Sequence, residues 1–258
     1  MKDMYGIGLK MCAVLLSAVV AAGCSRGGEE HALQALGLQG RVRSVVASAY
    51  RTAECDGGTE QGSRTEDAGA NAAYRFDEAG NLVSAEYLPG GVLSGWEDYV
   101  YAADGRLERI VSRSVGYGGD RTVICEWGDG GRCVRYTYDE QGRQRGEEHL
   151  RRRSGRFRSV AVSDGDTTVV TIRYRKGRPV REERRGPAGT TVKEYAYDRA
   201  GNPVRTVSFV GGQKEEIAEM EYASFDGEGN WIGRTIRRTD AQGACISCVR
   251  EERVIAYY

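Results

Sequence analysis

The sequence predicts an all-β fold, a long antiparallel β-meander of repeated hairpins that forms a curled sheet or a barrel-like structure. Three observations lead to this prediction. A short tyrosine, aspartate and glycine motif returns along the chain, turn residues recur about every 10–14 residues, and the segments between the turns are rich in β-branched and aromatic residues. Nothing in the body of the chain has the periodicity of a helix.

The chain begins with a segment typical of a secretory signal peptide. Residues Met11 to Ala22 form an apolar run without a charged residue, and Lys2 and Lys10 precede it. The run is shorter than the roughly 20 residues that a membrane-spanning helix needs, and it fits the roughly 7–15 residues of a signal-peptide core. We therefore expect residues 1–23 to be a signal peptide.

The end of this segment, Ala21-Ala22-Gly23-Cys24, resembles the lipobox of bacterial lipoproteins, in which small residues precede the cysteine that receives lipid. The resemblance implies cleavage before Cys24 and lipid attachment to it, which would anchor the protein stably to a membrane. An ordinary signal peptide with an incidental cysteine is the alternative. Ser25 is not the aspartate that marks inner-membrane retention, so we expect the outer membrane, with its periplasmic and surface faces both open. The composition of residues 24–39 is typical of a flexible tether.

An internal repeat organises the body of the chain, residues 40–258. The segment Tyr74 to Asn81 (YRFDEAGN) returns as Tyr136 to Arg143 (YTYDEQGR) and as Tyr195 to Asn202 (YAYDRAGN). Weaker copies begin at Tyr99, Trp127 and Phe225. Aromatic residues two apart share one face of a strand, the aspartate accepts a backbone N–H in the turn, and the glycine supplies the positive φ of a type I turn with a bulge. Turn chemistry therefore explains the repeated aspartates without a catalytic role.

This unit resembles the YD repeat of Rhs-type and teneurin-like proteins, and the overall plan is similar to that of smaller YD-repeat lipoproteins of the Bacteroidetes. The segment Leu38 to Val45 also looks like the first strand of those lipoproteins. The resemblance implies one repeat-built β-sheet domain over residues 40–258. About 15 strands are expected, more than the roughly 10 that an open twisted sheet tolerates, which favours curling or closure. Thr52 to Ala73 interrupts the rhythm and is predicted to be a long loop.

The cysteines of the exported chain are expected to form disulfides, because export places them in an oxidising compartment. Cys125 and Cys133 flank a turn symmetrically and are candidates for a cross-strand bridge if they face each other. Cys245 and Cys248 invite three readings: a redox CxxC, half of a zinc site, or a local or Cys55-linked disulfide. A redox pair draws its low pKa from a helix N-terminus, and a zinc site needs further ligands, so a disulfide is the simplest expectation.

Charge and histidine content narrow the classes of function. The 37 basic and 37 acidic residues cancel, so no global electrostatic field favours nucleic acid as a partner. Only His31 and His149 are present, and neither neighbours a nucleophile, which makes a Ser-His-Asp or metal-hydrolase centre hard to assemble. No catalytic residue, metal site or cofactor is expected.

One local charge run is a candidate ligand patch. Its members are Arg151, Arg152, Arg153, Arg156 and Arg158. In an exported protein such a run suits an anionic glycan or a lipid headgroup. The alternative is a solvated hairpin tip whose arginines deter edge pairing.

Together these features predict a membrane-anchored cell-envelope lipoprotein that acts as a non-catalytic binding or scaffold module. Its partners would be the membrane, through the lipid anchor, and a glycan or an envelope protein held by a tyrosine- and arginine-rich sheet face. The alternative is an envelope enzyme with thiol redox or glycan-cleaving activity, because a sheet can bring distant carboxylates together.

Overall fold

A computed structural model describes residues 32–52, 61–116, 119–130, 132–153 and 155–258. The predicted signal peptide, Cys24 and Cys55 lie outside these residues. The described part contains one short helix, α1 (Ala32–Ala35), a 3-10 turn at Pro89–Gly91 and seventeen strands. None of its helices has the length and apolar character needed to cross a membrane.

Strands β1 to β6 run through the first part of the chain. They are β1 (Val42–Thr52), β2 (Gln61–Arg64), β3 (Ala72–Phe76), β4 (Leu82–Tyr87), β5 (Gly95–Tyr101) and β6 (Leu107–Ser114). The remaining strands are β7 (Arg121–Gly128), β8 (Arg132–Asp139), β9 (Gln144–Arg153), β10 (Arg156–Ser163), β11 (Asp166–Arg175), β12 (Arg178–Gly186), β13 (Gly189–Tyr197), β14 (Pro203–Val210), β15 (Gln213–Phe225), β16 (Trp231–Asp240) and β17 (Cys245–Tyr257).

The described chain divides into two compact units. The first contains the described residues up to Asp120 together with Tyr222–Thr235 and Val249–Tyr258, and the second contains Arg121–Glu221 and Ile236–Cys248. In the first unit β1 pairs with β3 and with β17, and β3 to β6 follow as antiparallel neighbours. In the second unit β7 to β15 pair in the same consecutive antiparallel manner.

The fold class predicted from the sequence is confirmed: the protein is all-β, and its strands form an antiparallel meander of repeated hairpins. The first strand pairs with the last through a ladder that runs from Val42↔Tyr257 to Arg51↔Val249. Within the first unit, β1 therefore lies between β17 and β3, so neither β1 nor β17 is left unpaired along this ladder.

The predicted loop from Thr52 to Ala73 is wrong in part. Gln61–Arg64 forms β2, which pairs with β1 through Tyr50↔Arg64. Its residues, QGSR, have none of the β-branched or aromatic character that marks a strand in sequence, so the neighbouring strand rather than intrinsic propensity explains its conformation. The buried side chain of Asn71 links the segment after β2 to β1. It accepts a hydrogen bond from the Ala49 N–H and donates one to the Thr65 carbonyl, both at 2.9 Å.

The repeated Asp-x-x-Gly unit is a turn with the same backbone geometry in each copy. At Asp77 the backbone N–H bonds to the Asn81 carbonyl at 2.9 Å, and the Gly80 N–H bonds to the Asp77 carbonyl at 3.0 Å. The carboxylate also accepts from the backbone N–H four residues on, at 2.9 Å. Equivalent side-chain bonds occur at Asp139, Asp198, Asp226 and Asp240.

A register shift accompanies these turns, as the predicted bulge requires. It falls, for example, between Arg75 and Phe76, where Phe76 pairs with Leu82. The repeat aspartates are thus fully occupied by turn hydrogen bonds, which supports their structural role. Asp240 belongs to the same class, although the sequence around it lacks the aromatic residues that identify the other copies.

The turn carboxylates are expected to make stability depend on acid pH. Burial alone would raise the pKa of Asp139, but hydrogen bonds from Arg143 and then Arg145 outweigh burial and lower the pKa to about 2. Because the folded-state pKa lies below the unfolded one, the stabilisation is present above the unfolded pKa and is lost as the pH falls toward the folded one. Denaturant titrations between about pH 2 and pH 5 should show a shallower loss of unfolding free energy in Asp139→Asn than in the natural protein. Equal slopes would contradict this assignment.

Candidate functional site

The arginine run predicted as a ligand patch lies on β9 and β10, which are joined by the hairpin at Gly155. Residues directly opposite each other in an antiparallel pair share one face of the sheet. Arg151 lies opposite Arg158, and Arg153 lies opposite Arg156. These four side chains are therefore on the same face, and all four are exposed.

Arg152 does not belong to this patch, so the predicted set of five is corrected to four. Strand alternation turns Arg152 to the opposite face, where it lies across from Phe157, which is buried. The Arg152 guanidinium lies over the ring of Tyr174, 5.5 Å from its centroid. Consecutive arginines in a run alternate between faces as soon as the run forms a strand.

Sequence reasoning missed four further arginines on this face. Arg132 on β8 lies opposite Arg151, Arg173 on β11 lies opposite Arg156, and Arg181 on β12 lies opposite Arg173. Arg185 on β12 shares the face through its pairing with Val169. We call the set the arginine face. Its members are Arg132, Arg151, Arg153, Arg156, Arg158, Arg173, Arg181 and Arg185.

The arginine face contains directly opposed like charges. Five cross-strand pairs are arginine on arginine. They are Arg132↔Arg151, Arg151↔Arg158, Arg153↔Arg156, Arg156↔Arg173 and Arg173↔Arg181. Adjacent strands are only about 4.8 Å apart, and like charges directly opposite each other destabilise a sheet. The repulsion within the array therefore destabilises the sheet, and a bound anion would reduce it.

In the part of the chain that the structure describes, carboxylates pair with the arginine face along one edge, on β12. Arg181 pairs with Glu194 at 2.5 Å, and Arg185 donates to Glu183 at 2.6 Å. The other side of the array has no such partners within the described ranges. Among the described residues, no carboxylate oxygen lies within 4.0 Å of a guanidinium nitrogen of Arg151, Arg153, Arg156, Arg158 or Arg173. The nearby charge of Arg153, followed by desolvation and Arg132, lowers the pKa of Arg151.

A groove of about 240 Å³ crosses the arginine face. Its charged lining consists of Arg156, Arg158, Arg173, Arg181, Arg185 and Glu183. Guanidinium groups present planar forks of N–H donors that match carboxylate, phosphate and sulfate oxygens. The groove therefore has the chemistry of a site for a multiply charged oxyanion.

The predicted bridge between Cys125 and Cys133 does not match the observed register. Cys125 lies opposite Arg135, and Cys133 lies opposite Trp127, so the two cysteines are diagonal neighbours. Diagonal Cβ atoms are roughly 7–8 Å apart or slightly closer, whereas a disulfide needs about 4 Å. Both residues are buried, at 7% and 1% exposure, which does not favour a thiol that must meet a substrate.

The CxxC pair also separates in the structure. Cys245 and Cys248 are three residues apart on β17, so strand alternation places them on opposite faces, and Cys248 is buried. Cys245 is disulfide-bonded. A local bridge between the two would need both sulfurs on one face. Because a redox CxxC needs its two thiols close together, this arrangement disfavours a redox role for Cys245 and Cys248.

Buried carboxylates of the described residues are engaged in their own hydrogen bonds. Glu97 accepts from Tyr99 at 2.7 Å, from Tyr87 at 2.8 Å and from Ser112 at 3.1 Å. Burial, followed by the charge of Glu97, raises the pKa of Tyr99 well above its usual value, so this tyrosine stays protonated as a donor. Within the described ranges, no group of three or more histidine, cysteine, aspartate and glutamate residues is arranged to hold a metal ion.

Comparison with known proteins gives likenesses among solved structures alone. No family model matches the chain, and no curated protein matches it. Among solved structures, the chain is similar to a porin-like protein from Bacteroides uniformis ATCC 8492, with a TM-score of 0.39 and 10% sequence identity. The match covers 83% of this chain and 96% of that one.

Removing one charge from the arginine face is expected to stabilise the protein. Arg156 lies between Arg153 and Arg173, so Arg156→Gln relieves two opposed pairs and should raise the free energy of unfolding by about 0.2–1 kcal/mol at low salt. Added salt should shrink the gain, since it screens the repulsion. Urea denaturation at two ionic strengths measures both effects. A loss of stability in Arg156→Gln at low salt would contradict the proposed repulsion. The control is Arg109→Gln, which removes an exposed arginine that lies opposite Val100 and should not give this gain.

The partner of Cys245 is expected to be Cys55. Cys245 is disulfide-bonded, and strand alternation turns Cys248 to the opposite face of β17, so the Cys55-linked bridge is the expectation that remains of the two disulfides that the sequence allowed for Cys245. Peptide mapping without reduction should therefore recover a peptide that joins Cys55 to Cys245. Recovery of Cys245 joined to Cys248 would overturn this assignment.

Proposed function

We propose that the protein is a non-catalytic binding module of the cell envelope whose arginine face holds an anionic glycan. One observation carries the proposal. Five opposed arginine pairs form a charged array, and most of its members have no carboxylate partner among the described residues. An array of opposed like charges gains most from a ligand that supplies several negative charges together.

The geometry favours an extended ligand over a single small ion. Four arginines, Arg153, Arg156, Arg173 and Arg181, follow one another across consecutive strands β9 to β12. At a strand spacing of about 4.8 Å, this row extends roughly 14 Å. A chain of acidic sugars can place successive carboxylates, sulfates or phosphates along such a row, where each guanidinium can donate two hydrogen bonds.

The predicted address suits this ligand. A lipid on Cys24 would hold the protein at the outer membrane, on its periplasmic or surface face, where acidic polysaccharides are available and nucleic acid is not the natural partner. The binding energy would come from many exposed contacts. Each exposed ion pair contributes only about 0–1 kcal/mol, so affinity depends on their number and falls with salt.

The experiment compares polymers and variants with the full chain in detergent. Calorimetry with polygalacturonate, a polyuronate, should show binding that weakens as salt rises, whereas neutral dextran should not bind. The triple variant R151Q/R156Q/R173Q should bind about tenfold to a hundredfold more weakly. The control R75Q/R109Q/R205Q removes three exposed strand arginines elsewhere and the same total charge, and it should bind as the natural protein does.

Two results would overturn the proposal. Equal losses in the two triple variants would show that net charge, not the arginine face, governs binding. Binding to vesicles that contain phosphatidylglycerol, with no binding to the polyuronate, would assign the face to a lipid surface.

A further inference from the structure

A second arginine cluster lies in the first unit, around Trp231 at the start of β16. The guanidinium of Arg234 lies 4.1 Å from the centroid of the Trp231 ring, and that of Arg253 on β17 lies 3.6 Å from it. Trp231 is buried, and stacking of cations on a tryptophan ring is favourable when the groups are desolvated. Two positive charges are thus held close together on one aromatic side chain.

Among the described residues, a single carboxylate, that of Glu251, forms an ion pair in this cluster, and its partner is Arg234. Both Nε and Nη2 of Arg234 lie close to Glu251 Oε2, at 2.7 Å and 2.6 Å. The two side chains are 16% and 11% exposed, so this is a sheltered ion pair. Arg253 is left with no carboxylate partner among the described residues, and the cluster of Arg234, Arg253 and Glu251 carries one net positive charge.

Arg253 has hydrogen-bond donors that the surrounding protein does not satisfy. Its Nε and Nη1 are shielded from solvent and find no acceptor among the described residues. The neighbour directly across on β1 is Ala47, and the next on β3 is Ala72, neither of which has a side-chain acceptor. Shielding a charged donor without an acceptor is costly, so a group that supplies one would be bound favourably.

We propose that this cluster binds a compact oxyanion, a carboxylate or phosphate group, against the guanidinium of Arg253. Such a group would neutralise the net charge and offer acceptor oxygens to a fork of N–H donors. The guanidiniums of Arg234 and Arg253 already stack on Trp231, so the recognised feature is the oxyanion and not a sugar ring laid on the tryptophan. The site is distinct from the arginine face and does not depend on the function proposed for it.

The titration behaviour of Arg253 agrees with this assignment. Burial, followed by the nearby charge of Arg234, lowers the pKa of Arg253, while the charges of Glu251, Tyr74 and Tyr222 act in the opposite direction. A guanidinium remains charged throughout the physiological range, so this direction means that the protein's own groups do not fully compensate the charge of Arg253. A bound oxyanion would supply the missing compensation.

Tryptophan fluorescence of the full chain provides a direct test, because Trp231 touches both guanidiniums. Titration with inorganic phosphate or acetate, at ionic strength held constant with chloride, should give a saturable change in emission. Trp231→Phe identifies the contribution of Trp231 among the three tryptophans of the chain. Arg253→Gln should weaken binding about tenfold or more, whereas Arg113→Gln, which removes an arginine stacked 5.7 Å from Trp96, should leave it unchanged.

Further variants keep the test decisive. If Arg253→Gln does not fold, Arg253→Lys keeps the charge but loses the planar fork, and it should still bind more weakly than the natural protein. The variant R151Q/R156Q/R173Q should keep the full response, which separates this site from the arginine face. No saturable response in the natural protein, or an equal response in a folded variant of Arg253, would overturn the proposal.

Discussion

The register between neighbouring strands is the constraint on which the rest of this structure depends. A slip of one residue would move every side chain of a strand to the opposite face. The Asp-x-x-Gly turn resists such a slip, because its carboxylate and backbone bonds close the hairpin at one length and place a bulge at one position. At Asp198, for example, the carboxylate accepts from the Gly201 and Asn202 N–H groups at 2.5 Å and 2.8 Å.

The turn that begins at Asp226 also holds Gln39, which lies just before the first strand. Asn230 is almost completely buried, and its side chain accepts from the Gln39 N–H at 2.7 Å and donates to the Gln39 carbonyl at 3.0 Å. It also donates to the Tyr257 hydroxyl at 2.8 Å. The residue that follows glycine in the repeat thus has two uses here, since it completes a turn and anchors a distant segment.

The two arginine clusters differ in how the protein treats their charge. The arginine face is exposed, so water and salt screen each repulsion, and the affinity proposed for it would depend on the number of guanidiniums. Around Trp231 the charges are sheltered from solvent. The desolvation cost of Arg253 arises from the N–H donors at Nε and Nη1, which have no acceptor among the described residues. The first arrangement suits an extended polyanion and the second a single compact oxyanion, because shielding increases the strength of each contact and reduces the space for a ligand.

The sequence by itself determined the all-β class and the position of the turns, because Asp-x-x-Gly chemistry is local. It also identified Arg151, Arg153, Arg156 and Arg158, which lie close together on one hairpin. Only the tertiary structure decided which arginines act together, since Arg132 and Arg173 join them through pairing across strands, while alternation removes Arg152. The proximity of Arg253 to Trp231 was equally invisible, because residues far apart in the chain meet only when the register of their strands is set.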